Sequence, residues 1–202
     1  QTAALALSEG ETALLEVGLE IFRPILPMLA STSADVTEAV GSFENSSVEW
    51  KLDGIRIQIH RRNDEVKIYT RNLNDITESL PGIVEASLRL PVEQVVLDGE
   101  ALWMQEGAPG SFQDTVSRID SDAPPEGVRT FLFDILHVDG EDLLDLPLTE
   151  RAARLDAIAP GLRIPATVTS DPAEGERVLE TALNAGHEGV VIKDVESVYA
   201  AG

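Results

Sequence analysis

The stretch from Ile55 to Arg71 alternates with a period of two on both sides of a short polar turn, and an antiparallel β-hairpin is the unit that fits it. Ile55, Ile57 and Ile59 fall on one face of the first run, and Arg56, Gln58 and His60 on the other. Residues 61–65 supply the turn; Val66, Ile68 and Thr70 then alternate with Lys67, Tyr69 and Arg71. The predicted hairpin has an apolar underside and a basic, hydrogen-bonding upper side. A hairpin among irregularly alternating strands and helices argues for an α+β fold, mostly antiparallel sheets flanked by helices, over a doubly wound parallel sheet.

Outside the hairpin, Leu14, Leu15, Leu19 and Phe22 stand at helical spacing within residues 8–22. Pro24 and Pro27 then enforce an extended lead-in, R-P-I-L-P-M-L-A. Further helices are expected at 34–40, 77–90 (interrupted by Pro81-Gly82), 111–119 and 149–159, the two-residue period starts at Val48, and further strands are expected at 95–103, 130–138 and 189–194. Asp171, Pro172 and Glu174 suit the N-cap, N1 and N3 positions of one more helix, with Gly186 as its stop. Residues 1–23 read as a helical lead-in or linker and 24–202 as the main unit. The opening Gln1, with no initiator Met, marks the chain as an expected piece of a longer protein.

Composition narrows the function classes. No cysteine is present, which excludes disulfides and cysteine-ligated zinc within these residues. No apolar run approaches the ~20 residues of a membrane span; the most apolar stretch, 13–30, is broken by Glu16, Glu20, Arg23, Pro24 and Pro27. A soluble cytoplasmic protein with no membrane partner is the expectation. Twelve arginines against three lysines point to a GC-rich, bacterial genome. The net charge of −21 opposes nucleic-acid binding by the chain as a whole. Between residues 51 and 71, however, six bases face three acids, a window of +3 that leaves −24 for the remainder. That basic island fits an anionic ligand held in one place, or equally a solvated hairpin face.

Charges embedded in apolar strands carry the chemistry. Glu49-Trp50-Lys51-Leu52-Asp53-Gly54-Ile55-Arg56 places a lysine just before a flexible corner and a strand. Taken alone, K-x-D-G-x-R also reads as a hairpin lead-in with a surface salt bridge. Tyr69-Thr70-Arg71-Asn72 ends the next strand with a second arginine. Leu97-Asp98-Gly99-Glu100 sets two carboxylates in an apolar strand. His187-Glu188-Gly189-Val190-Val191-Ile192-Lys193 brackets a Val/Ile run with an acid and a lysine. A buried charge is costly unless paired or bound to a ligand. Several such strands of both signs point to a shared polyanion and metal site, although each taken singly also fits an isolated ion pair. His60, His137 and His187 have no metal-ligand spacing, and Phe131, Phe133 and Ile135 share a face by alternation.

In order, K-L-D-G-I-R, Y-T-R-N, L-D-G-E, F-L-F-D-I-L and E-G-V-V-I-K resemble the motif series of covalent nucleotidyltransferases, the DNA ligases, RNA ligases and mRNA capping enzymes. E-G-V-V-I-K together with R-N-L-N-D-I-T is closest to the ATP-dependent DNA ligases, as is the lead-in R-P-I-L-P-M-L-A. The resemblance implies an ATP-grasp-like adenylation domain acting on ATP with Mg²⁺ or Mn²⁺. Lys51 would be the nucleophile that forms lysine–AMP, a role that needs a lysine activated from its ordinary ammonium form. Glu49 would read the adenine edge and Phe133 would stack on its face, whereas alternation alone makes Phe133 ordinary core. Arg56 and Arg71 would contact ribose and phosphate, their forks suiting phosphate oxygens. Glu100 and Glu188 would serve ribose and the metal, and Lys193 the phosphates, with Asp53, and by analogy Asp98, orienting neighbours. The resemblance further implies a monomer that seals nicked double-stranded DNA near the nucleoid. An N-terminal DNA-binding domain, the last lysine motif and a C-terminal OB-fold would lie outside residues 1–202. RNA ligation, capping-type nucleotidyl transfer and non-catalytic nucleotide binding are the alternatives.

Overall fold

The computed structural model describes residues 18–119 and 126–202. The hairpin forms as β2 (Ile55–Arg62) and β3 (Glu65–Thr70), with Ile59 opposite Ile68 and Ile57 opposite Thr70. The other edge of β2 pairs with β4 (Gln94–Gln105), which pairs in turn with β6 (Val128–Val138). Two-residue strands finish this sheet: β5 (Ala108–Pro109) on β4 and β7 (Glu141–Asp142) on β6. The second sheet has β1 (Ser46–Lys51) at its centre, between β8 (Ala166–Thr169) and β9 (Gly189–Asp194). All these strand pairs are antiparallel, as the α+β reading requires.

Helices cover one face of each sheet. Ile57, Ile59, Ile68, Leu97, Leu132 and Ile135 line the underside of the large sheet. They pack against Ile83 of α2 (Pro81–Leu88), Ile119 of α3 (Phe112–Ile119) and Leu155 of α4 (Leu148–Ile158). On the small sheet, Val48 meets Val36 and Val40 of α1 (Val36–Gly41) and Val178 of α5 (Pro172–Asn184). Asp171 caps α5 by accepting from the Ala173 N–H, and Gly186, at φ 88°, follows its end. The chain crosses from one sheet to the other at Leu52-Asp53-Gly54. A Cβ on Gly54 would lie 2.4 Å from the Ala101 carbonyl oxygen, so only glycine fits this corner.

The upper side of the hairpin is hydrogen-bonding as expected, and its partner is the lead-in. The lead-in lies across it, and side chains bond its backbone at every third residue. Phe22 donates its N–H to His60 Nδ1 (3.0 Å) and accepts at its carbonyl from the Tyr69 hydroxyl (3.0 Å). Ile25 donates to Gln58 Oε1 (3.0 Å) and accepts from Gln58 Nε2 (3.3 Å). Met28 donates to the Tyr199 hydroxyl (3.1 Å) and accepts from Arg56 Nη1 (2.7 Å). With Pro24 and Pro27 removing two backbone donors, this segment cannot build a ladder of its own, and side chains satisfy it instead. Leu19, Ile21, Ile25 and Met28 pack there against Val96, Leu136 and Tyr199.

Departures from expectation have local causes. Of the helix expected at 8–22, residues 8–17 lie outside the described residues; 18–22 are not helical and end in a turn where Phe22 has φ 72°. The interruption expected at Pro81-Gly82 is present, but the residues before it form a 3₁₀ turn, Thr77–Ser79, and α2 ends at Leu88. β1 starts two residues early, and β8 was not expected. The β4–β6 register slips twice, leaving Leu136 and Phe133 as extra residues on β6. Ile135 consequently joins the main core, while Phe131 and Phe133 pack around Leu52, Leu102 and Ile164, so the three do not share a face.

Candidate functional site

Alternation along β1 puts Ser47, Glu49 and Lys51 on one face of the small sheet, away from Val48 and its helical cover. On the neighbouring β9, Lys193 lies opposite Ser47, Val191 opposite Glu49, and Gly189 opposite Lys51. Lys193 reaches diagonally to Glu49, with Nζ 2.5 Å from Oε2, and the Ser47 hydroxyl donates to Oε1 at 3.0 Å. Glu49 is thus a buried carboxylate with both oxygens engaged. Lys51 is exposed at the strand end and ion-paired with Glu188, whose own N–H donates to the Lys51 carbonyl (3.1 Å).

The facing wall comes from the large sheet. Arg56 lies opposite Glu100 across β2 and β4 and forks onto Asp98, through Nε (3.1 Å) and Nη2 (2.6 Å). Burial pushes the Glu100 carboxyl up to about 7, even though Arg56, the Gly54 N–H and Lys51 all favour its charged form. The Phe133 ring, turned out by the β6 bulge, has the Arg56 guanidinium 5.1 Å and the Lys193 ammonium 5.0 Å from its centroid.

Two cavities open between these walls and share Leu29, Ala30, Trp50, Arg56, Phe133 and Ile164. One, of about 400 Å³, holds Glu49, Phe133 and Lys193. The other, of about 670 Å³, is lined by Lys51, Arg56, Arg71, Glu100 and Phe112. Their size suits a nucleotide-sized ligand. Seven of the expected site residues line these cavities, and the eighth, Glu188, is held against Lys51.

The basic island breaks up. Lys51, Arg56 and Arg71 line the second cavity. Arg61 instead donates to the carbonyls of Asn63, Ser87 and Leu90, Lys67 pairs with Asp75, and Arg62 lies over Phe22. Asp53 accepts from the Phe112 N–H at the start of α3 (3.2 Å). Of the histidines, His60 is buried under the lead-in, His137 bonds Asp142 (2.6 Å), and His187 packs on Trp50. Trp50, Tyr199 and the lead-in residues Met28, Leu29 and Ala30 line the cavities without having been named as site residues in the sequence. Trp50 had a signal in its place between Glu49 and Lys51, and Met28, Leu29 and Ala30 in the lead-in that resembles the family; Tyr199 had none. Among the described residues, no three His, Cys, Asp or Glu side chains cluster closely enough to hold a metal by themselves. None of the helices there is long and apolar enough to cross a membrane.

Comparison with known proteins gives a consistent result. Residues 27–202 match the family model of the ATP dependent DNA ligase domain. A probable DNA ligase of Pseudarthrobacter chlorophenolicus is 50% identical over 100% of this chain and 40% of its own length. The chain therefore spans about two fifths of that relative. The structure of a mycobacterial DNA ligase D complexed with ATP and MES superposes with a TM-score of 0.71 at 26% identity, covering 91% of this chain and 58% of the other. The ligase domain of LigD from M. tuberculosis gives 0.70 at 25% identity, covering 88% and 57%. With the motif residues gathered around one pair of cavities and the match running over most of its length, this chain belongs to the ATP-dependent DNA ligase domain family.

Proposed function

We propose that residues 1–202 form the lysine-adenylating part of a longer ATP-dependent DNA ligase, and that Lys51 is its nucleophile. The observation that carries this reading is the position of Lys51 at the mouth of the second cavity, held by Glu188 and facing Arg56, Arg71 and Glu100. The adenine would enter the smaller cavity, its edge meeting Glu49 and its face Phe133, and would take the place of Lys193 beside that ring. Lys193 would then move from Glu49 to phosphate, so the two exchange partners when nucleotide binds.

With the triphosphate along Arg56 and Arg71, the neutral Lys51 amine attacks the α-phosphorus. An N–P bond forms as the bond to the bridging β-phosphate oxygen breaks, and pyrophosphate leaves in line. Lys51 must part from Glu188 and give up a proton for this to happen. Glu100 and Glu188 flank Lys51 and fit a hard divalent cation, Mg²⁺ or Mn²⁺, because a cation beside Glu100 favours the charged carboxylate that burial opposes. Without a third acid among the described residues, phosphate oxygens and water would complete the coordination. When bound, the metal would screen phosphate charge. In the whole enzyme, AMP would pass from Lys51 to the 5′-phosphate of nicked duplex DNA, and the 3′-hydroxyl would then displace AMP to seal the strand.

Intact-mass measurement of the full-length protein after incubation with ATP and Mg²⁺, followed by peptide mapping, tests this. One AMP on Lys51 is expected, and none on Lys51→Ala or on Lys51→Arg, whose guanidinium stays protonated. An adduct persisting on either variant refutes the assignment, and transfer from GTP in preference to ATP moves the reading to a capping-type enzyme.

A further inference from the structure

A closed ring of hydrogen bonds borders the nucleotide cavities and joins four segments distant in sequence. The Tyr199 hydroxyl donates to Asp98 Oδ2 (2.7 Å) and accepts from the Met28 N–H (3.1 Å). Asp98 also accepts from Arg56 Nε and Nη2, and Arg56 Nη1 donates to the Met28 carbonyl (2.7 Å), which closes the ring. Asp98 is 1% exposed and Tyr199 6% exposed, so water competes little for these bonds. Three of the five N–H groups of Arg56 are consumed by the ring, which leaves two to face a ligand.

We propose that Tyr199 is a positioning residue for the nucleotide site, acting through Asp98 and Met28 to fix the direction in which Arg56 presents its free N–H groups. Without it, Asp98 Oδ2 loses a donor and the Met28 N–H loses its acceptor. Arg56 is then free to follow the loosened carboxylate and lead-in. Because the hydroxyl is buried beside Asp98, its pKa is raised. It therefore stays a donor, and Asp98 remains the charge that balances Arg56. The sequence carries no sign of this role: Tyr199 lies outside every motif, and only the packing of Tyr199 with Val96 and Leu136 brings it to Asp98.

The proposal rests on the reading of Arg56 as a phosphate contact, so ligands with and without phosphate separate positioning from general loosening. In the full-length protein, Tyr199→Phe removes one oxygen and keeps the ring packing. It should weaken ATP binding about tenfold, the scale of one charge-assisted hydrogen bond. Binding of adenosine, which has no phosphate for Arg56 to hold, should be unchanged by calorimetry. In an Arg56→Gln background, the same substitution should cost ATP affinity nothing further, since its route is already cut. Equal losses for ATP and adenosine, or a full additional loss in the Arg56→Gln background, would overturn the proposal. Failure of the wild type to form lysine–AMP would instead count against the adenylation reading, and the two binding comparisons would still report on Tyr199.

Discussion

His60 offers a direct test of how the lead-in is held. Its side chain is 0% exposed, accepts from the Phe22 N–H at Nδ1, and bonds Gln58 Oε1 through Nε2 at 2.8 Å. One ring nitrogen accepts and the other donates, which fixes the neutral imidazole; a second proton would point Nδ1–H at the Phe22 N–H. Burial, helped by nearby His137, lowers its pKa from 6.5 to about 4. Between those values the unfolded chain binds a proton that the native state refuses. The stability due to neutral His60 is therefore complete above pH ~6.5 and drains away as pH falls toward ~4. At 1.36 kcal/mol per pH unit, the full loss is about 3 kcal/mol. Many carboxylates titrate in the same range, so the absolute slope is uninformative. The difference between wild type and His60→Gln, which cannot titrate, isolates this group. Urea unfolding from neutral pH down to pH ~4.5 should show wild type losing stability faster than the variant by about 2–3 kcal/mol across the range. Parallel slopes, or a His60 ring proton titrating near 6.5 by NMR in the folded protein, would refute the reasoning.

Three further substitutions probe the frame around the site. Arg151, 2% exposed, forks onto buried Asp134 and also bonds the carbonyls of Leu146 and Ser197. Arg151→Ala strands a buried carboxylate and should cost about 3–5 kcal/mol in denaturant unfolding. Arg154→Ala, which breaks a half-exposed pair with Glu141, should change stability by less than about 1 kcal/mol; similar losses for the two would mean that Asp134 is not buried as described. Gly54→Ala forces a methyl against the Ala101 backbone, with Glu100 Cγ 2.9 Å away. It should cost about 1–3 kcal/mol and slow self-adenylation, because the corner sets Lys51 against β2. Unchanged melting and an unchanged rate of AMP transfer would show that the corner yields.

The local elements and their chemistry were legible in the chain. The two-residue period fixed the hairpin, Asp171 and Pro172 fixed the start of α5, and Pro81 marked the break ahead of α2, because backbone geometry and capping act over a few residues. The ordered motifs, through their resemblance to the nucleotidyltransferase series, pointed to eight residues that the fold brings to or beside one pair of cavities. What local pattern could not reveal was which groups would meet. Register between β1 and β9 brings Lys193 to Glu49, and the slip in β6 turns Phe133 from the main core toward the cavities. A solvated upper side to the hairpin stayed open as a reading because alternation reports polarity rather than exposure; Gln58 and His60 there satisfy the backbone of the lead-in. Arg61 and Lys67 belonged to the same basic island as Lys51, yet their partners are backbone carbonyls, among them those of Ser87 and Leu90 around the end of α2, and a surface aspartate. Tyr199 became part of the site only when the C-terminal segment packed over Val96 and Leu136. Residue type limits the bonds a side chain can make, while the choice of partner is settled by long-range packing, where every buried donor and acceptor must be matched at once.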